Sequence, residues 1–387
     1  MPNLVGIGNS QVPTNGMLGG LAYQDSSVLD QVRSGRKNMI INGDMRICQR
    51  FSMNTANNIN NATHTYHVDR FKAYESTDGI LQGEWENDNY SDAGFQYSVK
   101  YTPATADTSL SNNQMAFISQ VIEMENMRHL GYGLSYAKTC TLSFYVKSNK
   151  IGTYCIALIN QNSNNRFFVT EYQINTANTW ERKTITIPGD RSGTWNTQGL
   201  RIAWTLASSS DRWASTTGVW VGGGTALYGT NNQVNFMDNT SNTFSLTGVQ
   251  FEIGLNATDF EHCSYGSALL DCYRYYVRLY ASTSDFAFGY GYKYTNTAHA
   301  ISVPLPTRLI QAPSTQISGL RIRGGNTNGV NNAETVTSID NPTAYSFGNM
   351  IFFTANTNVN SAVIGQTVVL TNSVSNSSSY LAFDAEL

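Results

Sequence analysis

From Asn38 onward the apolar and polar positions of the chain alternate in short runs. In CTLSFYVKS, Leu142, Phe144 and Val146 take one parity and Ser143, Tyr145 and Lys147 the other, the period of a strand with one buried face. Similar runs fall at Ile80 to Trp85, Phe95 to Tyr101, Met115 to Ile122, YCIALIN, FFVTEYQI, ERKTITIPGD and LRIAWTL, where Ile202, Trp204 and Leu206 share a face and are predicted core. Asn-, Ser- and Gly-rich turns separate them at roughly 8–12 residue spacing, the rhythm of a sandwich or jelly roll. Helical signals are few. EMENMRHLGYG predicts one short helix or turn stopped at Gly131 and Gly133, and Ala268, Leu269, Cys272, Tyr273 and Tyr276 fall at three- and four-residue spacing on one helix face.

The stretch Phe244 to Tyr276 organises the rest. Phe244 and Leu246, then Val249, Phe251 and Ile253, lie on one side of a strand, with a slip at Thr247 and Gly248 that predicts a bulge. The strand turns at Gly254 and leads through a polar loop to the helix. Beyond it, strands are expected at Phe286 to Tyr294, Ala298 to Leu305, Gln316 to Arg323, Tyr345 to Phe353, Thr367 to Leu370 and Tyr380 to Glu386, with Pro304 and Pro306 at a strand end or edge. Residues 1–37 show no sustained periodicity and cannot bury a core alone. The expected organisation is all-β: an extended arm over 1–37, a jelly-roll or β-sandwich domain over 38–262, a helical linker over 263–278, and a smaller β-sandwich over 279–387.

Several words carry a resemblance. NMIINGDMRICQRF and then TYHVDRFKAY are strand-like, rich in β-branched or aromatic residues, and in this order are similar to an "INGDF…QR" word preceding a "DRW" word, with Met45 and Phe71 in place of the usual aromatics. TLSFYVKS, a single Trp180 before KTITIP, then GVQFEIG, ATDFEH and CYRYY follow in order. Together they resemble bacteriophage tail-fibre and adhesin proteins with a carbohydrate-binding-like jelly roll. SVPLPTRLIQAPS and LAFDAEL resemble the small β domain that often follows it, and residues 1–37 resemble the segments by which fibre proteins dock onto the virion. The resemblance implies a virion protein, made in the host cytoplasm, that joins other tail proteins through residues 1–37, forms a homotrimer and meets a host surface glycan.

Composition narrows the chemistry. Charged residues are 13% of 387, against 22 Tyr and 17 Phe, a balance suited to β structure. A net charge of -3 offers no basic footprint for nucleic acid, and no apolar run approaches the ~20 residues that span a bilayer. Five cysteines without a CxxC predict free thiols. Cys140 and Cys155 flank an expected hairpin turning at Ser148 to Gly152, whose register sets Cys155 near Tyr145, out of reach of Cys140. His64, His67 and Asp69 invite a metal, but alternation leaves only His67 and Asp69 on one face, too few ligands. No cofactor is expected; a structural calcium held by carbonyls would leave no trace in sequence. Asp69 and Arg70 are read as a structural pair anchoring a strand end.

No catalytic motif is present. Glu84 and Glu86 share a strand face and so meet the minimum for a polysaccharide depolymerase, without further support. Trp195, Trp213 and Trp220 lie in or beside a Gly- and Trp-rich loop spanning Ala207 to Thr243. They are the candidate ligand-binding residues, since loop tryptophans at the end of a sandwich stack sugar rings; packing the loop is the alternative use, and a tryptophan near position 220 belongs to the resemblance. The expected function is a non-enzymatic tail fibre or tail-tip adhesin. A purely architectural collar, connector or capsid-decorating protein is the rival.

Overall fold

A computed structural model of the chain describes residues 36–386 except 60, 61, 63, 89–93, 163–165, 196–198, 282, 284, 285, 325–332, 344–348, 359–363 and 373–377. All of the expected arm before Arg36, and the first residues of the strand expected over 345–353, lie outside the described residues. The strands are β1 (Asn57–Asn58), β2 (His64–Val68), β3 (Phe71–Glu75), β4 (Ile80–Asn87), β5 (Tyr97–Thr105), β6 (Met115–Ile122), β7 (Cys140–Ser148), β8 (Gly152–Asn160), β9 (Arg166–Ile174), β10 (Glu181–Ile187), β11 (Leu200–Ser208), β12 (Trp220–Gly222) and β13 (Phe244–Ile253). After them come β14 (Tyr276–Tyr280), β15 (Ala287–Lys293), β16 (Ala298–Pro304), β17 (Ser314–Ser318), β18 (Leu320–Gly324), β19 (Ala333–Thr343), β20 (Met350–Thr357), β21 (Thr367–Asn372) and β22 (Tyr380–Asp384). Among the described residues two short α-helices interrupt them, α1 (Met124–Met127) and α2 (Tyr265–Tyr273).

The first thirteen strands make an antiparallel jelly-roll-type sandwich. One sheet runs β1-β4-β5-β13-β7-β10 and the other β12-β9-β8-β11-β6-β3-β2. Leu142, Phe144, Val146, Phe244, Leu246 and Phe251 of the first face Tyr154, Ile156, Leu158, Ile202, Trp204 and Leu206 of the second in one core. The bulge falls where the pattern places it: the β13–β7 register shifts between Thr247 and Gln250, with Gly248 at φ 59°. Gly131 and Gly133, at φ 65° and 86°, end the short helical stretch.

The expected hairpin of Cys140 and Cys155 does not form, because β7 and β8 belong to opposite sheets. Both strands carry a large apolar face, and the chain arches from one sheet to the other so that these faces meet; Phe144 packs edge-on to Tyr172 and Trp204 across the core. All five cysteines are free.

NMIINGDMRICQRF also departs from expectation, for residues 38–56 form no strand. Their backbone groups are met by side chains. Asn38 Oδ1 accepts from Ile40 and Phe251 N–H and its Nδ2 donates to Val249 O. Gln120 clasps both backbone groups of Ile41, and Asn42 accepts from Ile47 N–H while donating to Ile47 and Asp69 carbonyls. Positive φ at Asn42 and Met45 breaks the extended geometry, and such side-chain bonds compete with sheet ladders.

Beyond α2 the expected sandwich is instead a closed six-stranded barrel, β15-β16-β20-β19-β18-β21, beside a three-stranded sheet, β14-β22-β17. Closure needs tight coiling of the sheet. A Cβ on Gly291 would lie 1.8 Å from Ala300 O, so only glycine lets β15 and β16 approach there. Gly319, at φ 62°, splits the segment expected as one strand over Gln316 to Arg323 into β17 and β18. β19 was absent from the expected strands, and Tyr276, expected on the helix, opens β14. Inside the barrel the buried Glu334 lies 3.4 Å from Lys293 Nζ and from His299 Nε2, and accepts from Thr357 Oγ1 at 2.6 Å.

The seam between sandwich and barrel is ionic at its centre. Asp69 and Arg70 are buried but do not pair with each other. Asp69 meets Arg50 at 3.6 Å and accepts from Gln49. Arg70 pairs with Glu386, donates to Val121 O at 2.6 Å and lies over the Tyr275 ring at 3.4 Å. Arg50 also reaches Asp384 and Glu386 and stacks on Tyr276 at 3.6 Å. Burial works against the Arg50 charge, but Glu386, Asp69 and Asp384 outweigh it and hold its pKa above the usual value. Around this centre Arg274 and Tyr275 bond Glu123, and Ala268 and Cys272 of α2 pack on Ile41 and Ile47.

Two predictions follow from these buried groups. Arg70→Met leaves Glu386 without its main partner, and removing one member of a buried pair costs ~3–5 kcal/mol; the urea denaturation midpoint should fall accordingly, and a loss under about 1 kcal/mol would show the pair to be dispensable. His67, expected to share a face with Asp69, is sealed instead between Phe51, Tyr101 and Gly83, where a Cβ would come within 2.5 Å of its ring. Burial lowers its pKa to about 4, the Asn57 carbonyl opposing. The unfolded chain therefore binds a proton that the fold refuses, and stability should fall as pH drops from ~6.5 through ~4, by about 3 kcal/mol in all. His67→Gln should flatten that part of a stability-against-pH curve; an unchanged slope would assign it elsewhere.

Candidate functional site

The outer face of the six-stranded sheet is built by parity from residues that the core excludes. Ser245 on β13 stands opposite Lys100 on β5 and Lys147 on β7, and Lys100 stands opposite Glu84 on β4. Lys100 Nζ bonds Glu84 at 2.8 Å and Glu86 at 2.7 Å. Lys147 Nζ reaches Asp88 at 3.3 Å, and Asp88 also accepts from Ser98. Next to this row Tyr145 stands opposite Arg182 on the edge strand β10, and Trp180, two residues earlier and half-buried, lies under Lys147 Nζ at 4.7 Å. Each lysine is matched by a carboxylate, so the face has many fixed donors and acceptors and little net charge. At its other end it is closed by the return after β13, where Phe95, Phe260 and His262 cluster and Glu252 accepts from Thr258.

Glu84 and Glu86 do share a face, as alternation predicts. They stand side by side under one ammonium rather than opposed as an acid and a base, which is the geometry a glycosidase needs. Trp180, which belongs to the words that carry the resemblance, is absent from the candidate ligand-binding residues; the signal for it is its parity with Arg182 at the start of a strand.

The three candidate tryptophans are not one cluster. Trp195 is 7% exposed, donates to Asp190 Oδ2 at 3.1 Å and meets Tyr132 and Trp220 edge to face at 5.0 and 5.6 Å. Trp220 on β12 donates to Pro188 O and packs on Phe168. Arg166, bonded twice to Asp190, braces this end of the sandwich. Trp213 lies apart and donates to Ser208 O at 2.9 Å. The loop that holds Trp213 and Trp220 lies over the outer face of the seven-stranded sheet, where Tyr228 stacks on Phe117 at 4.7 Å and 14° and Ala214, Val221, Ala226 and Leu227 join a second small core.

A cavity of about 190 Å³ lies elsewhere, between Arg36, Met39, His129 and Asp271, smaller than the ~300 Å³ where ligand pockets begin. Among the described residues no three His, Cys, Asp or Glu side chains converge as metal ligands.

No family model matches the chain, and no curated protein matches it. Among solved structures it is similar to the enzymatically active domain of tailspike protein 4 of bacteriophage CBA120, at 11% identity and a TM-score of 0.29, over 51% of this chain and 21% of that one. It is similar to the family 11 carbohydrate-binding module of a cellulosomal cellulase of Clostridium thermocellum, at 13% identity and a TM-score of 0.28, over 51% and 99%. A cyclase from Fischerella sp. is similar at 10% identity and a TM-score of 0.30, over 58% and 100%. The chain spans about a fifth of the tailspike domain. Such scores assign no function, and the jelly-roll reading stands on the strand order of this chain itself.

Because its indole is held by Asp190 and flanked by two rings, Trp195→Ala is expected to cost ~3–5 kcal/mol. Thermal and urea melts read this; a variant as stable as the parent would free Trp195 for a role at the surface.

Proposed function

We infer that this chain is a virion appendage protein of the tail-fibre or tail-tip adhesin kind, which holds host surface glycan without transforming it. The observation that carries the reading is the outer face of the six-stranded sheet. Lys100 and Lys147 are each neutralised in place by carboxylates, and Trp180 and Tyr145 stand beside them, so the face presents fixed polar groups and aromatic edges to an uncharged, hydroxyl-rich partner. Preorganised groups of this kind lower the ordering cost of binding. Residues 1–37 would join other tail proteins and place the chain on the virion. Three copies would act together, since linked weak sites gain avidity without new contacts.

The test is adsorption of the fluorescently labelled full chain to intact host cells, with and without periodate oxidation of surface sugars. Periodate-sensitive binding is expected, with Trp180→Ala weakening it roughly tenfold, about 1.4 kcal/mol. Light scattering on the same sample should read a trimer, and a monomer would remove the avidity argument. A folded protein that does not bind, or binds regardless of periodate, would return the chain to a purely architectural role.

A further inference from the structure

We propose that the barrel carries a second, neutral-saccharide groove on its outer surface, separate from the sandwich face. This deepens the glycan-holding reading and rests on it. In the barrel β15, β16 and β20 lie side by side. Tyr290 stands opposite Ser302 and Ser302 opposite Phe352; one step along, Tyr292 stands opposite Ala300 and Ala300 opposite Thr354. Large side chains therefore rise on both flanking strands and fall to a serine and an alanine between them. With neighbouring strands ~4.8 Å apart, the walls stand ~10 Å apart at the backbone; in the present rotamers the flanking rings lean over the floor, covering Ser302 Oγ and bridging to Thr354, and their rotation opens the space between the walls.

Tyr290, Tyr292 and Phe352 are 61%, 54% and 44% exposed, and Tyr294, at 42%, reaches across to Thr354 Oγ1 at 3.2 Å. Ser302 Oγ, on the floor, is shielded from solvent and has no hydrogen-bond partner among the described residues. Rotation of an exposed flanking ring, a fast motion, uncovers it. The two rows contain no charged side chain, and the next outward carboxylate, Asp340, is already held by Asn356. Ring faces for the C–H side of a pyranose, with tyrosine, serine and threonine hydroxyls for its edges, suit an uncharged saccharide; an acidic one finds no cation within the two rows, the next in register, Arg323, standing two strands beyond Tyr290.

A second copy of the chain fits less well. The four exposed rings offer on the order of 400 Å², about half of the ~800 Å² that each partner gives to a stable interface.

The experiment is affinity electrophoresis of the full chain in gels cast with a neutral β-glucan, mannan or galactan, and with alginate as the anionic control. Retardation by at least one neutral polymer is expected. Ala300→Trp, which fills the floor, and Tyr292→Ala, which lowers a wall, should each weaken it roughly tenfold; circular dichroism confirms that they are folded, and Tyr292→Ala, at an exposed position, carries the test if Ala300→Trp does not fold. Unchanged retardation in both variants, with loss in Trp180→Ala, would overturn the groove and leave the glycan-holding reading standing. Retardation by alginate alone would overturn the neutral class. No retardation by any polymer, with periodate-sensitive adsorption to cells intact, would remove the groove only; loss of both would remove the two readings together. A change of sedimentation coefficient in Tyr292→Ala would make the surface a subunit contact and overturn the saccharide assignment.

Discussion

The buried contact of Arg50 and Arg70 with Asp384 and Glu386, with Asp69 paired to Arg50, sets how the chain is assembled. Cations from the segment before β1 and from the β2–β3 turn meet carboxylates more than 300 positions later in sequence, between tyrosine rings that exclude water. Charges so placed lose their hydration, and only close partners and good geometry offset that loss. The seam therefore tolerates one arrangement: β14 must run beside Gln49 and Arg50, which bond Tyr276 O and accept from Arg278, and β22 must end with its acidic pair over the sandwich. Paired charges thus fix the end of β22, in the three-stranded sheet, to the sandwich.

That constraint also explains the irregular start of the first unit. Residues 38–56 pass between α2, the end of β13 and the seam, where β13 meets them with isolated backbone bonds, to Met39 and Gly43, and no ladder. Asn38, Gln120 and Asn42 replace it with side-chain bonds, and the buried backbone groups there are satisfied as buried groups must be. The INGD word resembled a strand because its residues are β-branched and apolar; its asparagines decide the outcome, and periodicity does not register them.

Strand existence was legible wherever alternation ran for five residues or more, and so were the β13 bulge, the glycine stops and the core positions of Ile202, Trp204 and Leu206. Pairing was less so. Whether β7 turns back on β8 or arches across the core depends on which faces meet, and both strands are apolar enough for either. Closure of the barrel depends on backbone approach at Gly291, and β19, with Asn341 and Pro342 near its end, carries breaker residues that mask its alternation. Trp195 and Trp220 were legible as aromatic and as placed at an end of the sandwich, but not as partners of Asp190 and Pro188, since those hydrogen bonds join positions 5 and 32 apart that no strand or helix period relates. The polar face was half legible: the parity of Glu84 with Glu86 could be read, their shared lysine could not.

The distribution of aromatic surface ties these observations to function. Trp195, Trp213 and Trp220 have their N–H groups satisfied by the protein's own backbone or carboxylate, and rings with satisfied polar tips contribute to packing first. Aromatic surface left open gathers instead on β15 and β20, where Tyr290, Tyr292 and Phe352 gain nothing from the barrel core on the opposite side of the sheet. Exposed rings in register on strands that flank a third are a cost to solubility unless they meet something. The core is closed without them and the seam is formed by charges elsewhere, which is why the proposed saccharide groove is placed on these rings.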